Sequence, residues 1–159
     1  MKTLAMVLLM VGMDAGQADP GVARRGDQTM GFSHQRTSHH FALTGDGGTI
    51  SADVNDTGDT SSLAAIRSHM RNIAGAFSAG NFEMPMFIHG RTPPGVETMK
   101  RLKGEIVYRA EDSPLGGRVV IRTRNDTARE AIHEFLKFQI EDHATGDSLE
   151  GCHTHERSR

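Results

Sequence analysis

The sequence predicts an α+β fold in which two ββα units form a four-stranded antiparallel sheet with two long helices on one face. Three observations predict it. Residues 39–54 alternate apolar and polar side chains about a Gly45-Asp46-Gly47-Gly48 break. Residues 106–123 do the same about Ser113-Pro114-Leu115-Gly116-Gly117. Each alternating stretch is then followed by apolar residues at helical spacing.

Taken in order, the chain starts with Lys2, an apolar run over residues 4–13, and the small residues Ala15, Gly16 and Ala18. That is the pattern of a secretory signal peptide, residues 1–18, and it predicts a periplasmic or secreted protein. The run is far shorter than the ~20 apolar residues that span a bilayer, so no stable membrane insertion is expected after cleavage. Residues 19–36 are polar, contain glycine and show no period, which predicts a flexible lead-in. A single α+β domain follows over residues 37–145, and residues 146–159 read as a polar mobile tail.

In the first hairpin, pairing Thr44 with Thr49 sets Leu43 opposite Ile50, Phe41 opposite Ala52 and His39 opposite Val54 on the core side. His40 then meets Asp53 on the other face. Asp59 or Thr60 caps a helix whose apolar stripe is Leu63, Ile66, Met70, Ile73 and Phe77, ended by Gly80. His69 falls at the edge of that stripe, where a half-buried structural histidine is expected. Residues 81–96 contain Pro85, Pro93 and Pro94, which predict a long connection with at most a short strand at 86–89. Val96, Met99 and Leu102 then give a short helix opened by Pro94 and closed by Gly104. The second hairpin pairs the Ile106, Tyr108, Ala110 strand with the Val119, Ile121, Thr123 strand. Asn125 or Asp126 begins the last helix, with Ala128, Ala131, Ile132, Phe135 and Leu136 inward, Gln139 and His143 continuing that face, and His133 toward solvent.

Composition removes several function classes. A net charge of −2 and a pI near 6.5 leave no basic footprint for nucleic acid. Trp is absent and Tyr108 is the only tyrosine, so base- or sugar-stacking platforms are poorly supplied. Cys152 is the only cysteine, so stability comes from packing or bound metal rather than a disulfide within the chain. A strand edge left open by the second hairpin permits a homodimer.

The chemistry-bearing residues are histidines. There are nine, and His34, His39 and His40 crowd the ten residues 32–41. Imidazole suits copper and zinc, and a site needs three or four ligands from separate elements. The candidate ligand set is His34, His39, His40, His89 and His143, with Cu or Zn as the ion. The alternative is that His40 pairs with Asp53 across the hairpin and His143 bonds the end of its helix. Two smaller sets add to it. Met84-x-Met86-x-x-His89 combines thioethers with imidazole, as Cu(I) sites do, although methionine beside phenylalanine is also ordinary core filler. Cys152-His153-x-His155 offers a loose tail site.

Enzyme motifs are sparse. His133-Glu134 opens the zinc-hydrolase pattern H-E-x-x-H, but Lys137 stands at the second histidine position. There is no G-x-S-x-G elbow and no Walker loop. A His40–Asp53 general-base pair is the remaining enzymatic option.

Thr37-Ser38-His39-His40-Phe41, Pro93-Pro94-Gly95-Val96 with Met99-Lys100-Arg101-Leu102, and residues 131–140 with Asp142-His143 and Thr145-Gly146-Asp147 together resemble a family of small exported bacterial proteins of uncharacterised function. The resemblance spans roughly residues 31–147. Some members carry the label aspartate carbamoyltransferase, yet the Ser-Thr-Arg-Thr phosphate signature of transcarbamoylases is missing here and the chain is about half as long. The resemblance thus implies a family and a secreted habit and transfers no catalytic residues. The expectations are a transition-metal-binding exported protein, a non-catalytic periplasmic interaction module with structural or pH-sensing histidines, or a small His/Asp enzyme.

Overall fold

The structure, a computed structural model, describes residues 20–151. The expected signal peptide, residues 1–18, and the Cys152-His153-His155 set fall outside the described residues. The order of elements is α1 (Pro20–Met30), β1 (Thr37–Thr44), β2 (Gly47–Val54), α2 (Thr60–Ser78), α3 (Glu83–His89), α4 (Val96–Arg101), a 3₁₀ turn at Lys103–Glu105, β3 (Ile106–Asp112), β4 (Gly116–Thr123) and α5 (Asp126–Asp142).

The four strands form one antiparallel sheet in the order β1-β2-β4-β3. The fold class is therefore α+β, as the alternation predicts. Helix α2 packs on β3 and β4, and α5 packs on β1 and β2. Between helices and sheet lie Phe77, Phe82, Phe135, Ile66, Met70, Ile121 and Leu136, all buried. Phe77 stacks on Phe82 with centroids 4.3 Å apart, and Phe135 meets both edge-on. Buried aromatic pairs of this kind contribute beyond their area, which fixes how α2 and α5 meet. No helix among the described residues is long and apolar enough to cross a membrane.

Both long helices start where side-chain oxygens are available. Asp59 accepts from the Ser62 N–H and Asn125 accepts from the Ala128 N–H, each satisfying a donor that the first turn leaves unpaired.

The first hairpin differs from the expected register by two residues. Thr44 pairs with Gly47, Phe41 with Ile50, His39 with Ala52 and His40 with Ser51. Gly47 and Gly48 belong to the strand because contacts there leave no room for a side chain. A Cβ on Gly48 would strike Leu136 of α5 and the Ala42 carbonyl, and one on Gly47 would strike the Ile121 carbonyl. Only Gly45 and Asp46 are left for the turn. A slip by an even number keeps every side chain on its face, so His39 still points inward and His40 outward.

Two helices occupy stretches expected to be irregular. Residues 20–30 are α1, not a flexible lead-in. It opens on proline, whose missing N–H costs nothing at a first helical position, and Val22 and Met30 recur at four-residue multiples along its length. Val22 is buried, and Arg25 Nε donates to the Ile88 carbonyl at 2.6 Å, docking α1 on α3. Residues 83–89 are α3, not a strand. Pro85 stands in its first turn, where no intrahelical N–H bond is lost. Gly90, at φ 65°, ends it.

The segment after α5 is also built in as far as it is described. Asp147 accepts from the Phe41 backbone N–H at 2.9 Å and from the Thr145 hydroxyl at 2.8 Å, pinning residues 145–147 along the outer edge of β1.

Candidate functional site

Four histidines from four elements line one small cavity. They are His39 of β1, His69 of α2, His89 at the end of α3, and His143, which caps the C-terminus of α5. Their rings form a continuous row with Phe32 inserted. Phe32 meets His69 edge-on at 5.6 Å and stacks on His39 at 5.7 Å, His39 lies parallel to His143 at 6.4 Å, and His143 meets His89 edge-on at 5.0 Å. Phe41 covers His143 from the strand side. The cavity is about 60 Å³. That admits an ion or a few atoms, well short of the ~300 Å³ at which organic-ligand pockets begin.

Burial dominates the electrostatics. It pushes His39 down from 6.5 to about 4, with the neighbouring His40 adding to the shift and Asp27 opposing it. The same cause lowers His69 to about 4, aided by His39. Burial likewise lowers His143 to about 4, with His89 and His39 lowering it further and Asp142 working the other way. All three rings are neutral at pH 7, which is the form that ligates metal. The buried Nε2 of His39 has no hydrogen-bond partner among the described residues. An orphaned buried imidazole nitrogen of this kind costs about 1–3 kcal/mol if nothing meets it.

His89 is held differently. Its Nδ1 lies 2.6 Å from Asp142 Oδ2 and its Nε2 2.9 Å from the Gln139 side-chain amide. With one N–H on the ring, Nδ1 donates to Asp142 and Nε2 accepts. Turning the Gln139 amide so that its NH₂ faces Nε2 then satisfies both that acceptor and the Gln139 nitrogen, which is otherwise buried without a partner. A carboxylate behind Nδ1 is the arrangement that orients metal-binding histidines elsewhere, although here the Nε2 on the other side of the ring is occupied by Gln139. Arg91 completes it, 3.4 Å from Asp142 and over the Phe138 ring.

Of the five histidines expected to act together, His39, His89 and His143 come together in this cavity. His34 and His40 do not. His34 lies 2.9 Å from Asp27 and His40 3.0 Å from Asp147, both on the exposed side. They line a wider adjoining cavity of about 300 Å³, which shares Met30, His39 and His143 with the inner one. The expected His40–Asp53 pair does not form: the altered register moves Asp53 opposite Ser38, and Asp53 accepts instead from Ser113 at 3.0 Å. His133, expected in solvent, reaches the Thr44 and Gly47 carbonyls at 2.9 and 3.0 Å and ties α5 to the hairpin turn.

Sequence reasoning passed over His69, because an edge position on α2 gave no sign that Phe32 and α1 would close over it. The methionine pattern also divides. Met84 lines the cavity, whereas helical winding of α3 turns Met86 away, with its sulfur 4.0 Å from Lys100 Nζ. Among the described residues, no three His, Cys, Asp or Glu side chains already stand as a metal-holding group. The imidazoles line the cavity without forming a closed shell: His39 Nε2 is unpartnered, whereas both nitrogens of His89 are hydrogen-bonded. No protein-family model, no curated protein and no solved structure matches this chain.

Proposed function

We propose that this protein binds a transition metal ion, copper or zinc, in the histidine-lined cavity, and does so outside the cytoplasm. The observation that carries the reading is the buried, unpartnered Nε2 of His39, a residue that lines one cavity together with His69, His89 and His143. Rings bound to one tetrahedral ion through nitrogen have centroids about 5 Å apart, and His89 and His143 stand at 5.0 Å, with His89 joining once its Nε2 exchanges Gln139 for the ion. His39 completes the set by rotating its ring. In this reading His34 and His40, each facing a carboxylate, line the way in.

Calorimetric titration of the metal-free chain with Cu and Zn tests it. Binding tighter than about 10 μM is expected for at least one ion, and His39→Phe and His143→Phe should each abolish it. His34→Ala and His40→Ala should leave it within about threefold. Failure of both ions to bind with ΔG below about −7 kcal/mol sinks the proposal.

A second reading rests on the same burial. Three imidazoles kept neutral by the fold make a non-catalytic interaction module that loosens in acid. It predicts stability that follows pH and ignores metal.

A further inference from the structure

We propose that the ion taken by the inner cavity is soft and monovalent, Cu(I), held by the thioethers of Met30, Met70 and Met84 together with the imidazoles around them. The inference rests on the metal-binding reading above and narrows it.

Three methionines from three helices line the same cavity as the four histidines: Met30 from α1, Met70 from α2 and Met84 from α3. Met70 is 1% exposed, and Met84 packs against the core. No aspartate, glutamate or cysteine is among the lining residues. Asp142 stands one bond further out, behind His89. The cavity lining therefore carries no carboxylate or thiolate, and apart from the Gln139 amide the remaining wall is carbon, mainly from Phe41, Ile50, Ile73, Phe77, Ile88 and Phe135.

That composition discriminates between ions. The cost of moving an ion from water into a medium of low dielectric rises with the square of its charge, so a divalent cation costs about four times as much as a monovalent one of equal size. Zinc sites commonly offset that cost with thiolate or carboxylate ligands and a closed tetrahedron, and this cavity provides neither. Thioether and imidazole donors instead select Cu(I). Methionine also fills irregular cores, but here the three side chains line the same cavity as His39, whose Nε2 is buried without a partner.

The test uses the full chain under anaerobic conditions. Cu(I) is competed against bicinchoninate, and Zn(II) against a zinc chromophore, while the ¹³C-methyl resonances of the methionines are followed by NMR. Cu(I) should bind at least about a hundredfold tighter than Zn(II). The Met30, Met70 and Met84 methyl signals should move, while those of Met86 and Met99 stay in place. Met84→Leu preserves side-chain volume and should still fold. It should weaken Cu(I) at least about tenfold and leave Zn(II) within about twofold. If Zn(II) binds as tightly as Cu(I), or if Met84→Leu and Met70→Leu both leave Cu(I) unaffected, the Cu(I) assignment is overturned and the metal-binding proposal stands. If neither ion binds, both fall.

Discussion

Acid should unfold this protein through its buried imidazoles. His39, His69 and His143 each titrate near 4 in the folded chain, against 6.5 when unfolded. The folded value is the lower one, so between about pH 4 and 6.5 the unfolded chain binds more protons. Stability therefore rises with pH across that window and is lost as pH falls through it. A shift of about two and a half pH units corresponds to about 3 kcal/mol per ring once all the protons are bound. At pH 5 the loss is about 2 kcal/mol per ring, or about 6 kcal/mol if the three act independently. That is comparable with the whole stability of a domain this size, about 5–15 kcal/mol. The Asp147 carboxyl, which burial would raise, is held below its usual value by hydrogen bonds from Phe41, His40 and Thr145. Its contribution is lost only as pH falls below 3.8, so the two windows separate. Urea unfolding of metal-free protein, followed by circular dichroism from pH 8 to 4.5, measures the slope. Near pH 5 it should be about 3.6 kcal/mol per pH unit, falling to about 2.4 in His69→Leu. A stability that stays flat from pH 7 to 5, or a slope unchanged in His69→Leu, would falsify the assignment of buried neutral rings.

Three further outcomes are expected. Asp142→Asn removes the charged acceptor behind His89 and should cost about 1–3 kcal/mol in denaturant titration, with the His89 ring resonances broadened; an unchanged midpoint would rule out a positioning role for Asp142. Gly95→Ala should be among the most destabilising single changes, above about 3 kcal/mol. Gly95 has φ 78°, and a Cβ there would collide with the Ala131 carbonyl of α5; a loss under about 1 kcal/mol in thermal unfolding would contradict that packing. Asp147→Ala frees the Phe41 N–H and should speed its hydrogen exchange while global stability falls by only about 1 kcal/mol. Exchange at Phe41 as slow as before would mean that the segment after α5 does not protect β1.

The sheet and the long helices were legible because their periods are plain. Ile106, Tyr108, Val119 and Ile121 alternate, and Ile66, Met70, Ile73 and Phe77 recur at helical spacing. What escaped reading was set by neighbours that the local pattern does not contain. Gly47 and Gly48 look like turn residues, and only the closeness of α5 and β4 shows why glycine is needed inside the strand. Pro85 suggests a break, yet a first-turn proline breaks nothing. Within the site, the opposite faces of His39 and His40 followed from strand alternation, and His143 from the phase of α5. His34 and His40 looked like partners of His39 because they are near in sequence, but carboxylates from α1 and from the segment after α5 claim them. His69 needed Phe32 and α1 in place before its surroundings could be known.

The row of rings from His69 to His89 has a consequence for assembly. Its members are separated by as much as the span from position 32 to position 143, and they arrive from a loop, a strand and three helices. No isolated hairpin or single helix can reproduce it, because each contributor holds one wall and none holds two. During refolding, a probe of these imidazoles should be the last signal to reach its native value, so the chamber doubles as a reporter that every element has docked.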